Sequence, residues 1–571
     1  MTASNDGGSS SAQDAQMLTA LVRLRGALQA ADLPFDVEGV EDLRASRRQM
    51  IDQLEDYVIP RVMTIEAPLV AVVGGSTGAG KSTLVNSLVG ERVTTPGVLR
   101  PTTRSAVLVH HPDDAHWFGQ DRLLPDLRRV EEATDDPTAL QLVASERMPQ
   151  GLALVDAPDV DSVEQRNREL AAQLLAAADL WLFVTSAARY ADQVPWQHLR
   201  GAADRATAVA VILDRTPAEA VETVSTHLAR MLASRGLKDS PIFVVHEGPI
   251  DDDGLLPPGH VADVRGWIDS LAADSGGRAV VVKQTLDGAI RSMTHHTYPL
   301  VEALGAQQRV AAGLREAVVE GYAADRDDTA AGLVDGRLLR GEVLARWQDF
   351  VGTGDLLRSL DQKVSWLRDR VVNAVKGKPQ QAERVVVAVE SAIELLVLEH
   401  AERAAGAVAT RWAELPGGPA LLAQAGPDLG RASRDLRRRA ERAVRAWQEE
   451  VGALVRADGA DKRSARYLAF GAGGLAVSLM VQVIAGASQH ESAALGRQLL
   501  DAVFGEAEVT AMVRSATASL HEHVLGLLDA ESERFTGLLG ADAVPDGAAE
   551  ALREAARRVD DARFAESQRG A

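Results

Sequence analysis

From Leu69 the chain repeats one pattern, a short continuous apolar run followed by a longer amphipathic stretch. The runs are Leu69 to Val73, Ala106 to His110, Leu152 to Asp156, Leu180 to Thr185, Ala208 to Leu213 and Ile242 to Val245. Runs this short, with no polar alternation and many β-branched residues, predict strands buried on both faces. Helices between them predict an α/β domain with a mainly parallel sheet, whose ligands gather at the carboxyl ends of the strands. Beyond roughly Pro258 the strand signal nearly stops. Val281 to Thr297, Val310 to Ala324, Gly332 to Phe350, Asp355 to Lys376, Gln380 to Leu415, Leu429 to Val455 and Leu495 to Leu539 carry helical spacing instead. Gly352-Thr353-Gly354, Lys376 to Pro379 and Pro416 to Pro419 interrupt them as hairpin connections would. The second half therefore reads as a long all-α bundle or stalk. Two further helices, Ala12 to Ala30 and Val40 to Val58, precede the first strand, and the second stops at Pro60.

The first strand leads into Gly75-Ser76-Thr77-Gly78-Ala79-Gly80-Lys81-Ser82, and helical spacing resumes from Ser82 to Val89. This is G-x-x-x-x-G-K-[ST] in the strand–turn–helix context its mechanism requires. The glycines let main-chain N–H groups, from Gly75 through Thr83, close around phosphates, and the helix N-terminus adds partial positive charge. Lys81 is placed to reach the β- and γ-phosphates, and the Ser82 hydroxyl to ligate Mg²⁺. A nucleoside triphosphate is the expected substrate, and Mg²⁺ the expected cofactor.

Composition narrows the setting. The chain has 571 residues with only 4% aromatics, a net charge of −20 and no cysteine. The length calls for more than one domain, and the negative balance argues against DNA or other nucleic acid as a default partner. Without cysteine there is no disulfide, thiolate metal site or thiol nucleophile. Met1 to Gln16 is polar and lacks a signal pattern, so residues 1–16 are expected to be a disordered leader on the cytoplasmic side. Residues 17–62 are expected to be a helical pair packing on the bundle, 63–275 the P-loop domain, and 276–571 the stalk.

One segment stands apart. Tyr467 to Ser488 carries no charged residue and is long enough to cross a hydrocarbon core. Lys462, Arg463 and Arg466 precede it, and Arg431, Arg434, Arg437, Arg438, Arg439, Arg442 and Arg445 lie before those. Such cations suit anionic lipid headgroups, which favours an apolar tip that inserts or docks; the competing reading is a hairpin buried inside the bundle.

Around the phosphate loop other candidates fall at plausible places. Thr103, in Arg100-Pro101-Thr102-Thr103-Arg104, is the expected switch threonine for Mg²⁺ and the γ-phosphate, since Thr-Arg entering a strand resembles the switch of Era-like GTPases; Thr102 is the fallback. Asp156 ends a buried strand, placed to hold Mg²⁺ through water. The following Ala157-Pro158-Asp159 departs from D-x-x-G, with Asp159 at the glycine and Val160 where Ras-like enzymes carry a water-positioning glutamine. Hydrolysis is expected to be slow or completed by a partner. Asp214-Arg215-Thr216-Pro217 fills the location of N-K-x-D: Asp214 replaces the Asn, Arg215 can stack its stem over a base as the lysine does, and Pro217 stands where the guanine-reading Asp should be.

Taken together, Gly75 to Ser82, Arg100 to Arg104, Asp156 to Asp161 and the helices flanking a late apolar segment resemble the bacterial dynamin-like GTPases, especially an actinobacterial branch. The resemblance implies GTP as substrate and a helical bundle continuing into a stalk with a membrane-seeking tip. It also implies homo-oligomers or a paired dynamin-like partner, and a place at the cytoplasmic face of the membrane. Thr77-Gly78 stand where many dynamins carry Gln-Ser. Two other classes compete. An Era-like GTPase acting on ribosomal RNA is disfavoured by the charge of −20. A P-loop ATPase is disfavoured because Asp156 is followed by Ala157 and not by a catalytic Glu.

Overall fold

The computed structural model of the chain describes residues 6–94, 105–351, 379–460, 465–486, 491–540 and 544–567. They form two compact units: residues 1–33, 39–305 and 545–571 belong to the first, and 34–38 and 306–544 to the second.

The first unit is built on an eight-stranded sheet in the order β3-β4-β2-β5-β1-β6-β7-β8. The expected strands are present as β1 (Leu69–Gly75), β2 (Ala106–His110), β5 (Leu152–Asp156), β6 (Leu180–Ser186), β7 (Ala208–Thr216) and β8 (Ile242–His246). Two more, β3 (Arg128–Val130) and β4 (Ala139–Ala144), extend one edge. All pairings are parallel except β2 with β5, so the sheet is mainly parallel as its apolar runs require. Strand β1 sits between β5 and β6, every residue of it buried. One face packs Leu69, Ala71 and Val73 against Leu84, Val85, Leu88 and the helix Pro258–Ala273.

Helix α1 (Asp6–Ala30) lies along the C-terminal helix Ala548–Ser567 of the same unit. Helix α2 (Val40–Gln53) does not run straight to Val58: it widens into a π turn, Leu54–Val58, before the short helix α3 (Ile59–Met63). Pro60 has no N–H for the carbonyl of Asp56 four residues earlier, and a widened turn absorbs that mismatch.

These preceding helices are fastened to the sheet through one buried carboxylate. Asp179, 1% exposed, lies just before β6. It accepts from the Tyr57 hydroxyl at 2.9 Å and from the Val70 N–H at the start of β1, also at 2.9 Å. Arg61 pairs with it at 2.8 Å. Its backbone carbonyl accepts from Thr285 Oγ1 at 3.0 Å, which ties in the long helix Ser275–Val334. Burial drives the carboxyl upward in pKa, and Arg61 opposes that most strongly.

Among its described residues the second unit contains helices and their connections and no strand. It contains the remainder of Ser275–Val334, which is unbroken where two separate helices were expected, and the helices Gly341–Val351, Pro379–Glu414, Gly418–Ala425, Leu436–Ala460, Ala465–Ala485, Glu491–Phe504 and Glu506–Leu538. The predicted helix Asp355 to Lys376 lies outside the described residues. Trp347, Trp412 and Trp447 are fully buried. The apolar segment is where the expectation of an exposed tip is corrected. Leu475 to Val477, Leu479 to Val481 and Val483 to Ala485 are interior, in one cluster with Trp347, Trp447, Leu500 and Phe504. Among the described residues no helix is long and apolar enough to cross a membrane. The nearby arginines meet carboxylates: Arg434 pairs with Asp428, Arg437 with Glu394, Arg439 with Glu531, and Arg445 with Glu390.

Replacing Asp179 with Ala leaves the buried Arg61 guanidinium without its carboxylate, a loss of the order of 3–5 kcal/mol. Urea unfolding of the full chain is expected to show the first unit melting at distinctly lower denaturant while the second keeps its transition. A variant that unfolds like the parent would show that Asp179 carries no such weight.

Candidate nucleotide site

The loop Ser76 to Gly80 joins β1 to helix α4 (Lys81–Val89) at the carboxyl edge of the sheet. The glycine at the end of β1 and the last glycine of the loop are required by close approach. A Cβ at Gly75 would stand 2.0 Å from the Val184 carbonyl oxygen of β6. At Gly80, with φ of 93°, it would stand 2.2 Å from Asp214 Oδ2. Behind the loop Gly74 leaves room for the indole of Trp181, whose Nε1 would be 2.7 Å from a Cβ there.

The loop is held from outside by Asp161 and Arg189. Asp161 Oδ1 accepts from the Thr77 N–H at 2.6 Å and from its hydroxyl at 2.7 Å. Arg189, in the loop after β6, donates to the Thr77 carbonyl at 2.6 Å and pairs with Asp161 at 3.3 Å. Gly78 has a positive φ of 75°, Ala79 and Ser76 are fully buried, and Thr83 gives its carbonyl to the Ser87 hydroxyl at 2.7 Å.

Lys81 and Ser82 open α4, both buried. The Lys81 ammonium donates to the carbonyls of Gly75 at 3.2 Å and Ser76 at 3.1 Å, and makes an ion pair with Asp159. Asp156, at the end of β5, is completely buried, and both of its carboxylate oxygens lack a hydrogen-bond partner. Burial raises its pKa to about 6; the nearby Ser82 and Thr94 hydroxyls and Lys81 oppose the rise, and Asp159 adds to it. A buried carboxylate with unpartnered oxygens, beside a serine at a helix N-terminus, suits a hard cation that completes its shell with water and phosphate. Among the described residues no group of three or more His, Cys, Asp or Glu side chains is placed to hold a metal ion by itself.

Asp214 and Arg215 end β7 against the same loop. Asp214 is 3% exposed, accepts from the Arg215 N–H at 2.7 Å, and is raised to about 6 by burial. Arg215 adopts a left-handed φ of 51°, uncommon for a side chain this bulky, and its Nε would lie 3.5 Å from a Cβ at Gly80. Together with Thr77, Gly78, Asp159, Asp161, Ser186 to Arg189 and Pro217, Arg215 lines a cleft of about 840 Å³.

The structure thus gathers Gly75 to Ser82, Asp156, Asp214 and Arg215 at one edge, while Thr102 and Thr103 lie outside the described residues. Entry to that segment is fixed by Asn86, whose Oδ1 accepts from the N–H groups of Val93 at 2.9 Å and Thr94 at 2.8 Å, and whose Nδ2 donates to the Thr94 carbonyl at 3.0 Å. Asp161, Arg189 and Thr94 are contributors that sequence reading passed over. The signal for Arg189 is a cation within a few residues of a buried strand's carboxyl end, where ligand loops gather.

Comparison with known proteins follows this geometry. A profile of the dynamin family matches residues 70–213. A probable transmembrane GTPase of the FZO-like type from the Arabidopsis thaliana chloroplast is 29% identical over 132 residues, 23% of this chain. The chain spans only 13% of that relative's length. Two solved structures of an oligomerised bacterial dynamin pair align over 69% of this chain and 75% of theirs at 12% identity, with TM-scores of 0.27 and 0.28. The family match thus falls on the stretch from β1 to β7 that carries the phosphate loop, Asp156 and the end of β7.

Substituting Asp161 with Ala removes both of its hydrogen bonds to Thr77 and one of the two carboxylates, Asp161 and Asp192, that pair with Arg189. Triphosphate affinity is expected to fall about tenfold, the worth of roughly one such interaction, with the melting temperature little changed. Titration with a fluorescent nucleotide checks this, and unchanged affinity would show that the clamp does not shape the loop.

Proposed function

We propose that this chain, which carries a dynamin-family GTPase domain, binds GTP with Mg²⁺, hydrolyses it, and uses the cycle to govern association of its helical unit with a membrane. The observation that carries the catalytic part is the buried lysine at the N-terminus of α4, set against the fully buried Asp156 at the end of the neighbouring strand. Lys81 and the loop amides from Gly75 to Thr83 would hold the phosphate tail and neutralise the charge that grows in the transition state. Ser82 and Asp156, with Thr103, are the residues proposed to hold Mg²⁺, which when bound supplies charge neutralisation between the terminal phosphates. Asp214 would brace Gly80, and Arg215 would lay its stem along the base. Val160 is fully buried and offers no hydrogen bond to a water nucleophile, which supports slow turnover or activation by a partner, a second copy included.

GTP is favoured by the family of the domain and by the FZO-like relative, whose name declares it a GTPase. Pro217 in place of a carboxylate removes the usual acceptor for guanine, so the choice of base deserves direct measurement. Calorimetry with Mg²⁺ is expected to show GTP binding more tightly than ATP, and Lys81→Ala is expected to abolish binding of both. Equal affinities would make the chain a nucleotide-tolerant P-loop hydrolase, and retained hydrolysis by Lys81→Ala would contradict the site.

The membrane half draws on the same relative's transmembrane description. With the described part of the apolar segment 467–488 interior, the proposal is a peripheral association at the cytoplasmic face. Flotation with anionic liposomes is expected to carry the full chain upward in the presence of GTP and Mg²⁺. Failure to float under any nucleotide condition would remove the membrane part and leave the hydrolase.

A further inference from the structure

Lys81 is the one cation of the phosphate loop, and its ammonium is already engaged: Asp159 takes it as an ion pair, and the carbonyls of Gly75 and Ser76 accept from it at 3.2 and 3.1 Å. A lysine ammonium has three N–H donors, so those three acceptors account for it. The pair is interior, with side-chain exposure of 4% for Lys81 and 6% for Asp159. Asp159 is also fixed in place from both sides. The adjoining Val160 N–H donates to the Gly75 carbonyl at 3.4 Å, and the Asp159 carbonyl accepts from the Ser162 N–H at 3.3 Å. The chain thus holds a carboxylate where the lysine would otherwise face a phosphate.

We propose that Asp159 is a built-in substitute for the terminal phosphate, pairing with Lys81 and biasing the loop toward diphosphate over triphosphate. This rests on the phosphate-loop reading given above. A triphosphate presents one more phosphate group to Lys81 than a diphosphate does. It has to take the ammonium from Asp159, which leaves a buried carboxylate facing the newcomer with Asp156 close by. Like charges forced together in a site closed to solvent oppose binding strongly. A diphosphate lets Lys81 keep Asp159 and turn one N–H from a loop carbonyl to the β-phosphate. The residue is therefore a specificity determinant that acts through Lys81, and it sets how much of the triphosphate's binding is spent on rearranging the site.

The test measures the ratio of affinities for GTP and GDP, with Mg²⁺, by calorimetry on the full chain and on Asp159→Asn, Asp159→Gly and Asp159→Glu. The expected result is that Asn and Gly each tighten GTP about tenfold or more while GDP changes by less than about threefold. Glu, which keeps the charge, is expected to retain the parent's ratio. Asparagine and glycine remove the same charge with different packing, so one variant serves if the other fails to fold. Equal changes for both nucleotides, or no change in the ratio, would overturn the assignment of Asp159 while leaving the nucleotide site standing. Absence of any nucleotide binding by the folded parent would instead overturn the site, and this assignment with it.

Discussion

The G-domain unit depends on a single desolvated carboxylate at the amino ends of its two central strands. Asp179 joins the turn of helix that precedes the sheet, through Tyr57 and Arg61, to the Val70 N–H of β1 and, through its backbone carbonyl, to Thr285 of the long helix that follows the sheet. Burying a carboxylate is costly unless every neighbour answers it, and this one is answered by a phenol, a guanidinium and a main-chain amide. The segments before, within and after the sheet therefore cannot be ordered independently. The nucleotide edge lies at the other end of the same strands, so whatever stiffness the loop has is inherited from β1 and β6 held at their roots.

At the carboxyl edge the physical theme is crowding of negative charge around few cations. Asp156, Asp159, Asp161 and Asp214 approach the loop, against Lys81, Arg189 and Arg215. Each carboxylate has a different answer to its burial. Asp159 takes the lysine and Asp161 takes Thr77 and Arg189; Asp156 and Asp214 respond by shifting upward to about 6. Among these four, only Asp156 has both oxygens buried without a hydrogen-bond partner of good geometry, although the Ser82 and Thr94 hydroxyls stand near it.

Much of this was legible because the chemistry is local. The loop from Gly75 to Ser82 is a contiguous string, and the central strands announce themselves by uninterrupted apolar residues. Strands β3 and β4 escaped because Arg128–Val130 is short and partly exposed, and Ala139–Ala144 is buried mainly at its first residues. Asp179 was invisible for another reason: its partners Tyr57 and Thr285 are more than a hundred residues away on either side. Asp159 could be seen as a departure from D-x-x-G, but its engagement of Lys81 is a fact of three dimensions. The stretch 467–488 was ambiguous in principle, since a bundle core and a bilayer select the same side chains. Partners decided it for 475–485, because Trp347, Trp447 and Phe504 stand where lipid would. Of the arginines before it, Arg445, Arg437 and Arg439 pair with Glu390, Glu394 and Glu531.

The indole beneath the phosphate loop has an optical corollary. Trp181 is 2% exposed, stands edge-on to Phe183 with ring centroids 5.4 Å apart, and occupies the space that Gly74 vacates. Its Nε1 is buried without an acceptor, so the ring senses an apolar field set by the backbone of β1. Any shift of that backbone when the loop changes occupancy alters the surroundings of this chromophore before it reaches the protein surface. One of the chain's eight tryptophans thus sits on β6 directly against the end of the strand that leads into the loop.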